Sequence, residues 1–129
     1  MEAWKLTEAD VPLRSVPGAL GLYEALAARV FAACPDTRVR VLKTQISFDA
    51  RRGFLCASLA PVRRKAERPN PYLTVTFGLP YPLASTRVVC VPVRPNRWTH
   101  HVIIGSAEDI DAELMGWIME AHAFANRPH

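Results

Sequence analysis

His100 and His101 are the chain's only adjacent histidines. They lie in Arg97-Trp98-Thr99-His100-His101-Val102-Ile103-Ile104, a β-branched and aromatic run that reads as a strand. Two imidazoles could hold a metal or move a proton. Adjacent strand residues point to opposite faces, so these two rings cannot share an ion. Val102 and Ile104 are the core-side residues, which turns Trp98 and His100 inward and Thr99, His101 and Ile103 outward. His100 is then expected as a satisfied, semi-buried histidine near the edge of the core, and His101 as the ring able to touch a ligand. Ser47, Cys56 and His101 have the types of a nucleophile and a base, but the sequence offers no third group to orient them. The chain has no Gly-rich phosphate loop, no H-E-x-x-H and no G-x-S-x-G. No catalytic residue, cofactor or metal is expected.

The elements that must position these residues follow from periodicity. Residues 1–18 read as a loose arm. Thr7-Glu8-Ala9-Asp10 has the types of a capped turn, and Pro12 and Pro17 forbid a long helix. After Gly18, Leu22, Leu26 and Val30 recur at helical spacing until Cys34-Pro35-Asp36 stops them. The period then becomes two. Val39 and Val41, then Ile46 and Phe48, alternate with polar residues, and Asp49 to Gly53 makes a hairpin turn. Strands are expected at Phe54–Leu59, Tyr72–Phe77, Thr86–Val93 and Trp98–Ile104. Proline-containing loops fill residues 60–71 and 78–83. Ser106 is the expected N-cap of a last helix, with Glu108 and Asp109 in its first turn and Ile110, Leu114, Trp117, Ile118 and Ala121 as its buried stripe. Met115, Met119 and His122 flank that stripe.

This order implies an α+β domain spanning residues 19–126. An antiparallel sheet of five to six strands carries an N-terminal and a C-terminal helix on one face and leaves the other open. Composition agrees: at 129 residues, half hydrophobic and 22% charged, the chain is an ordinary single globular domain. Its three cysteines are widely spaced and form no C-x-x-C, so they are expected buried and reduced, in a cytoplasmic protein. No signal peptide and no 18-residue apolar run is visible, so no membrane partner is expected.

The alternation also assembles the open face. Lys43, Gln45, Ser47 and Asp49 point outward from one strand, Tyr72, Thr74 and Thr76 from another, and Thr99 and His101 from the last. The face of Arg87 is undecided. Such a surface is rich in donors and suits an anionic ligand. Sixteen Lys and Arg against twelve Asp and Glu give a net charge of +4, which permits a phosphate or nucleic-acid partner without demanding one. Basic groups stand at Arg51-Arg52, at Arg63-Arg64-Lys65 with Arg68, and at Arg94, Arg97 and Trp98. Basic residues beside aromatics suit phosphates and stacked bases.

The helix with Gly21-Leu22-Tyr23-Glu24-Ala25-Leu26, then Lys43-Thr44-Gln45-Ile46-Ser47-Phe48, Gly53-Phe54 and Arg97-Trp98-Thr99-His100-His101, follow one another in order. Ser106-Ala107-Glu108-Asp109-Ile110-Asp111-Ala112-Glu113-Leu114 and Trp117-Ile118-Met119-Glu120-Ala121 complete the series. The chain resembles, over about residues 20–125, the bacterial family called domain of unknown function 5655. The resemblance implies a small cytosolic α+β domain with no established activity. Some relatives carry a zinc-ribbon-like arm, but no Cys precedes Cys34 here, so that arm is not expected. In the family, positions matching Lys43, Phe54, His100 and His101 recur, which implicates Lys43 and His101 as ligand contacts.

The reading is an accessory binding domain for an anionic or phosphate-bearing ligand. Lys43, Gln45, Thr74, Thr76 and His101 would hold the ligand, and a loop with Arg63, Arg64 and Lys65 would close over it. The alternatives are a nucleic-acid-binding module and a homodimer paired through the Thr86–Val93 strand. A hydrolase with His101 as base is the weakest alternative.

Overall fold

Leu22, Leu26 and Val30 form the buried stripe of α1, Ala19–Ala33, widened by Ala19, Tyr23 and Ala27. Cys34 is its C-cap, and Pro35 follows. The structure, a computed structural model, describes residues 4–7 and 10–128. Glu8 and Ala9, inside the turn expected near the start of the chain, lie outside the described residues. The described part of the arm is built of turns and is docked. Trp4, Val11 and Leu13 are buried in the core, and the Tyr23 hydroxyl donates to the Trp4 carbonyl at 2.7 Å.

Six strands follow: β1 Arg38–Val41, β2 Gln45–Asp49, β3 Gly53–Ser58, β4 Leu73–Leu79, β5 Val88–Arg94 and β6 Arg97–Ile104. They form one antiparallel sheet in the order β1-β2-β3-β4-β6-β5. Hairpin-length links explain the runs β1 to β3 and β5 to β6. The segment after β4 carries the chain to the far edge, so β6 returns between β4 and β5. The inner face carries Ile46 and Phe48, Leu55 and Ala57, the alternate residues Leu73 to Leu79 of β4, and Val102 and Ile104, all buried. Both helices pack there, α2 (Ala112–Ala125) over β3 and β4, and α1 beside it. The architecture is the α+β class that the alternation implied.

Two local departures from the expected elements shape the sheet and its last helix. Ser106 caps a separate 3-10 turn, Ala107–Asp109, instead of the last helix. The Asp109 carboxylate turns back to accept from the amides of Gly105 and Ser106, at 2.7 and 3.1 Å. Asp111 then caps α2 by accepting from the Leu114 amide at 2.9 Å. The second departure is a bulge. Phe48 pairs with Leu55 and Asp49 with Gly53, so Phe54 is the extra residue of β3. The bulge buries Phe54 beside Leu55, where its ring meets the edge of His122 from α2 at 4.8 Å.

Candidate functional site

The ladders place one row of side chains straight across the outer face. In register, Arg40, Ser47, Cys56, Thr76, His101 and Val89 stand side by side on β1, β2, β3, β4, β6 and β5. The row is wired together. Arg40 Nε donates to Asp49 at 2.9 Å, and the Ser47 hydroxyl donates to the other oxygen of Asp49 at 2.6 Å. Thr76 Oγ1 and His101 Nδ1 are 2.9 Å apart. Burial opposes ionisation of Asp49, but the hydrogen bonds from Arg40 and Ser47 prevail and hold its carboxyl below the usual range. Burial pushes the Cys56 thiol up, opposed by its hydrogen bond with Thr76. Burial also pushes the His101 imidazole down, favouring the neutral ring.

His100 lies on the opposite face, so the two rings do not converge. It is fully buried, not semi-buried, and stacks on Phe77 at 5.3 Å, with Trp117 stacked on Phe77 at 6.3 Å. Its Nε2 accepts from the Leu83 amide at 3.2 Å, which puts the proton on Nδ1, and that atom has no partner among the described residues. Desolvation lowers its pKa despite nearby backbone acceptors.

The outer face is partly covered at one end. Next to the central row lies a second, with Gln45, Ser58, Thr74 and Ile103 in register. The chain leaving β3 folds back over it. Thr74 is 0% exposed and its hydroxyl donates to the Ala60 carbonyl at 2.7 Å, while the Tyr72 hydroxyl donates to Leu59 at 2.7 Å. Thr74 therefore has no surface to offer a ligand. The cover over Thr74 is the backbone of Leu59 and Ala60, and of the expected basic residues only Arg63 stays beside this row, in a cavity with Ile103 and Thr86. Arg63 donates to the Thr86 carbonyl at 2.7 Å, Arg64 pairs with Glu67 at 2.9 Å, and Lys65 lines a separate cavity with Arg68 and Tyr72. Lys43 is exposed in the β1–β2 turn, on a shallow cavity with Thr44, Gln45 and Ser58. Of the expected ligand set, Thr76 and His101 come together, Gln45 lies nearby, and Lys43, Arg63, Arg64 and Lys65 do not join them.

The other end of the face is a groove. Pairing of β3 with β4 stops at Leu55 and Phe77, whereas β4 stays with β6 as far as Leu79 and Trp98. Bulged β3 thus separates from β4, and Phe124 and Ala125 at the end of α2 fill the gap from beneath. The result is a cavity of about 250 Å³ lined by Gln45, Ser47, Cys56, Thr76, Thr99 and Arg97 among others. Glycine at Gly78 leaves room above the strand, and a β-carbon there would lie 3.9 Å from the Arg97 guanidinium. Gly53, Arg97, Phe124 and Ala125 also line a neighbouring cavity of about 430 Å³, so the two are continuous. Ser47 and Thr99 are outward residues that alternation alone finds. Phe124 required knowing that the sheet splits over the end of α2.

Arg87 proves to face α2. It bridges Asp111 and Glu113 at 2.9 and 3.0 Å and lies over Trp117 at 5.7 Å, which pins the start of α2 to the sheet edge.

An α+β domain with a covered inner face and a polar outer groove is the class that fold and site define. The family model described as "Domain of unknown function (DUF5655)" matches residues 14–125, and the chain belongs to that family. No curated protein matches the chain, and no solved structure does.

Proposed function

We propose that this domain binds an anionic, polar small molecule in the groove of its outer sheet face. The observation that carries the reading is that Ser47, Thr76 and Thr99 line one cavity with Arg97, while His101 stands beside it with Nδ1 2.9 Å from the Thr76 hydroxyl. Hydroxyls and an amide recognise a hydroxylated body, the His101 ring positions the Thr76 hydroxyl, and guanidinium supplies the attraction for charge. Binding, and not catalysis, fits the thiol. A nucleophilic cysteine needs its pKa lowered, and burial raises that of Cys56. Isothermal titration with phosphate- and carboxylate-bearing metabolites tests the reading. Thr76→Val should weaken the best binder by about fivefold or more, the order expected for losing one buried hydrogen bond. Unchanged affinity in both Thr76→Val and His101→Phe would contradict it. Anisotropy with short oligonucleotides addresses the nucleic-acid alternative, because phosphate contacts impose a steep loss of affinity with salt.

A further inference from the structure

Arg94 and Arg97 stand directly opposite each other across the Pro95-Asn96 turn of β5 and β6. Like charges at such a position repel and destabilise a sheet. The same cavity also receives Arg52 from the β2–β3 turn and Arg127 from beyond α2. Among the described residues, none of these arginines pairs with a carboxylate. Arg52 is held in place by its Nη1, which donates to the Ala125 and Arg127 carbonyls at 3.2 and 3.3 Å. Arg97 and Arg127 rest on the Phe124 ring, 5.8 and 4.6 Å from its centroid. Arginines from three segments thus line one concavity, Arg52, Arg97 and Arg127 held in place and none of the four paired with a carboxylate among the described residues. Planar forks of this kind match the oxygens of a phosphate.

We propose that this arginine basket is a phosphate subsite of the groove, taking the terminal phosphate of a phosphorylated sugar or polyol. The inference rests on the groove as a binding site for an anionic small molecule and names its ligand class. The sugar hydroxyls would lie along Ser47, Thr76 and Thr99, which line the adjoining cavity. A stacked nucleobase is disfavoured, because the aromatic ring at the junction, Phe124, is already engaged by two guanidiniums. A polymer backbone calls for charges spread along a track, whereas these close on a single cavity.

The test is calorimetric titration of the full chain at low salt with ribose 5-phosphate, inorganic phosphate and ribose. Ribose 5-phosphate should bind at least about tenfold more tightly than inorganic phosphate, with ribose undetectable. The double variant Arg94→Thr/Arg97→Gln should lose about tenfold or more, the order expected for charge-assisted hydrogen bonds. Arg94→Thr alone should melt at or above the wild-type temperature without ligand, since it removes the facing charge. The same melting scan on the double variant shows that it folds. If the double variant binds ribose 5-phosphate unchanged while Thr76→Val loses it, the groove stands and the phosphate subsite is overturned. Equal binding of inorganic phosphate overturns the sugar assignment. Absence of all binding overturns both readings. Tighter, steeply salt-dependent binding of an oligonucleotide that the double variant abolishes overturns the small-molecule class.

Discussion

His101 and His100 tie the fold to pH. Burial lowers both pKa values from the ordinary histidine value of 6.5. Below that pH the unfolded chain takes up protons that the native rings refuse, so stability falls as pH drops through 6.5 and levels off below the folded pKa values. Asp49 and Asp111 act lower. Their lowered pKa values give stability that is present above 3.8 and lost as pH falls through the folded values. The urea midpoint should therefore fall between pH 7.5 and 5.5, and His101→Gln should shrink that fall. An undiminished fall would show that the His101 environment is not desolvated. His101 was legible as an outward residue because alternation within its strand is strict. The fate of Thr74 was not, although alternation placed it outward correctly. Its hydroxyl is consumed by Ala60, in a loop whose path no local pattern encodes. The same loop redirected Arg63, Arg64 and Lys65, whose positive charge was plain in the sequence but whose partners Thr86 and Glu67 were not.

The helices and strands follow their local signals closely, and the exceptions lie where two signals compete. Ser106, Asp109 and Asp111 are all capping types, and the chain uses them in succession, so α2 begins at Ala112 and not directly after Ser106. Asp111→Ala should lower the melting temperature by a few degrees in a thermal scan, since it frees the Leu114 amide and takes one of the two carboxylates from Arg87; no change would remove Asp111 as the cap. Ile118 lies fully buried at the centre of the same helix. Ile118→Ala should cost about 2–5 kcal/mol by denaturant melts, the range for large-to-small core changes. Gly105 has another constraint. A β-carbon there would lie 2.5 Å from the Pro69 side chain. Gly105→Ala should destabilise by about 1–3 kcal/mol, as overpacking does, and a neutral result would mean that the loop carrying Pro69 yields freely. The bulge at Phe54 had no clear sequence signal, because Gly53 also satisfies an ordinary hairpin turn. Yet that bulge separates β3 from β4 and makes the groove.

The molecule separates its duties by face. One face of the sheet is sealed by both helices. The other is capped at one end by Leu59 and Ala60 and open at the end where Arg52, Arg94, Arg97 and Arg127 gather. A net charge of +4 is therefore a poor guide to function, and its local concentration is a better one. The edge strand β5 exposes Val91 at 44% and Val93 at 55%, the surface a strand-paired dimer would use. Pro92 lies between them, and a proline in an edge strand withholds a donor from any incoming strand. Light scattering after size exclusion should accordingly give a monomer, and a dimer that dissociates in Val91→Lys would revive the interface. The most direct test of the groove itself is amide chemical-shift mapping of the full chain titrated with ribose 5-phosphate at low salt. The groove reading predicts shifts at Ser47, Gly53, Cys56, Thr76, Thr99 and Phe124. Shifts confined to Lys43 and the loop from Arg63 to Arg68, or none at all, would contradict it.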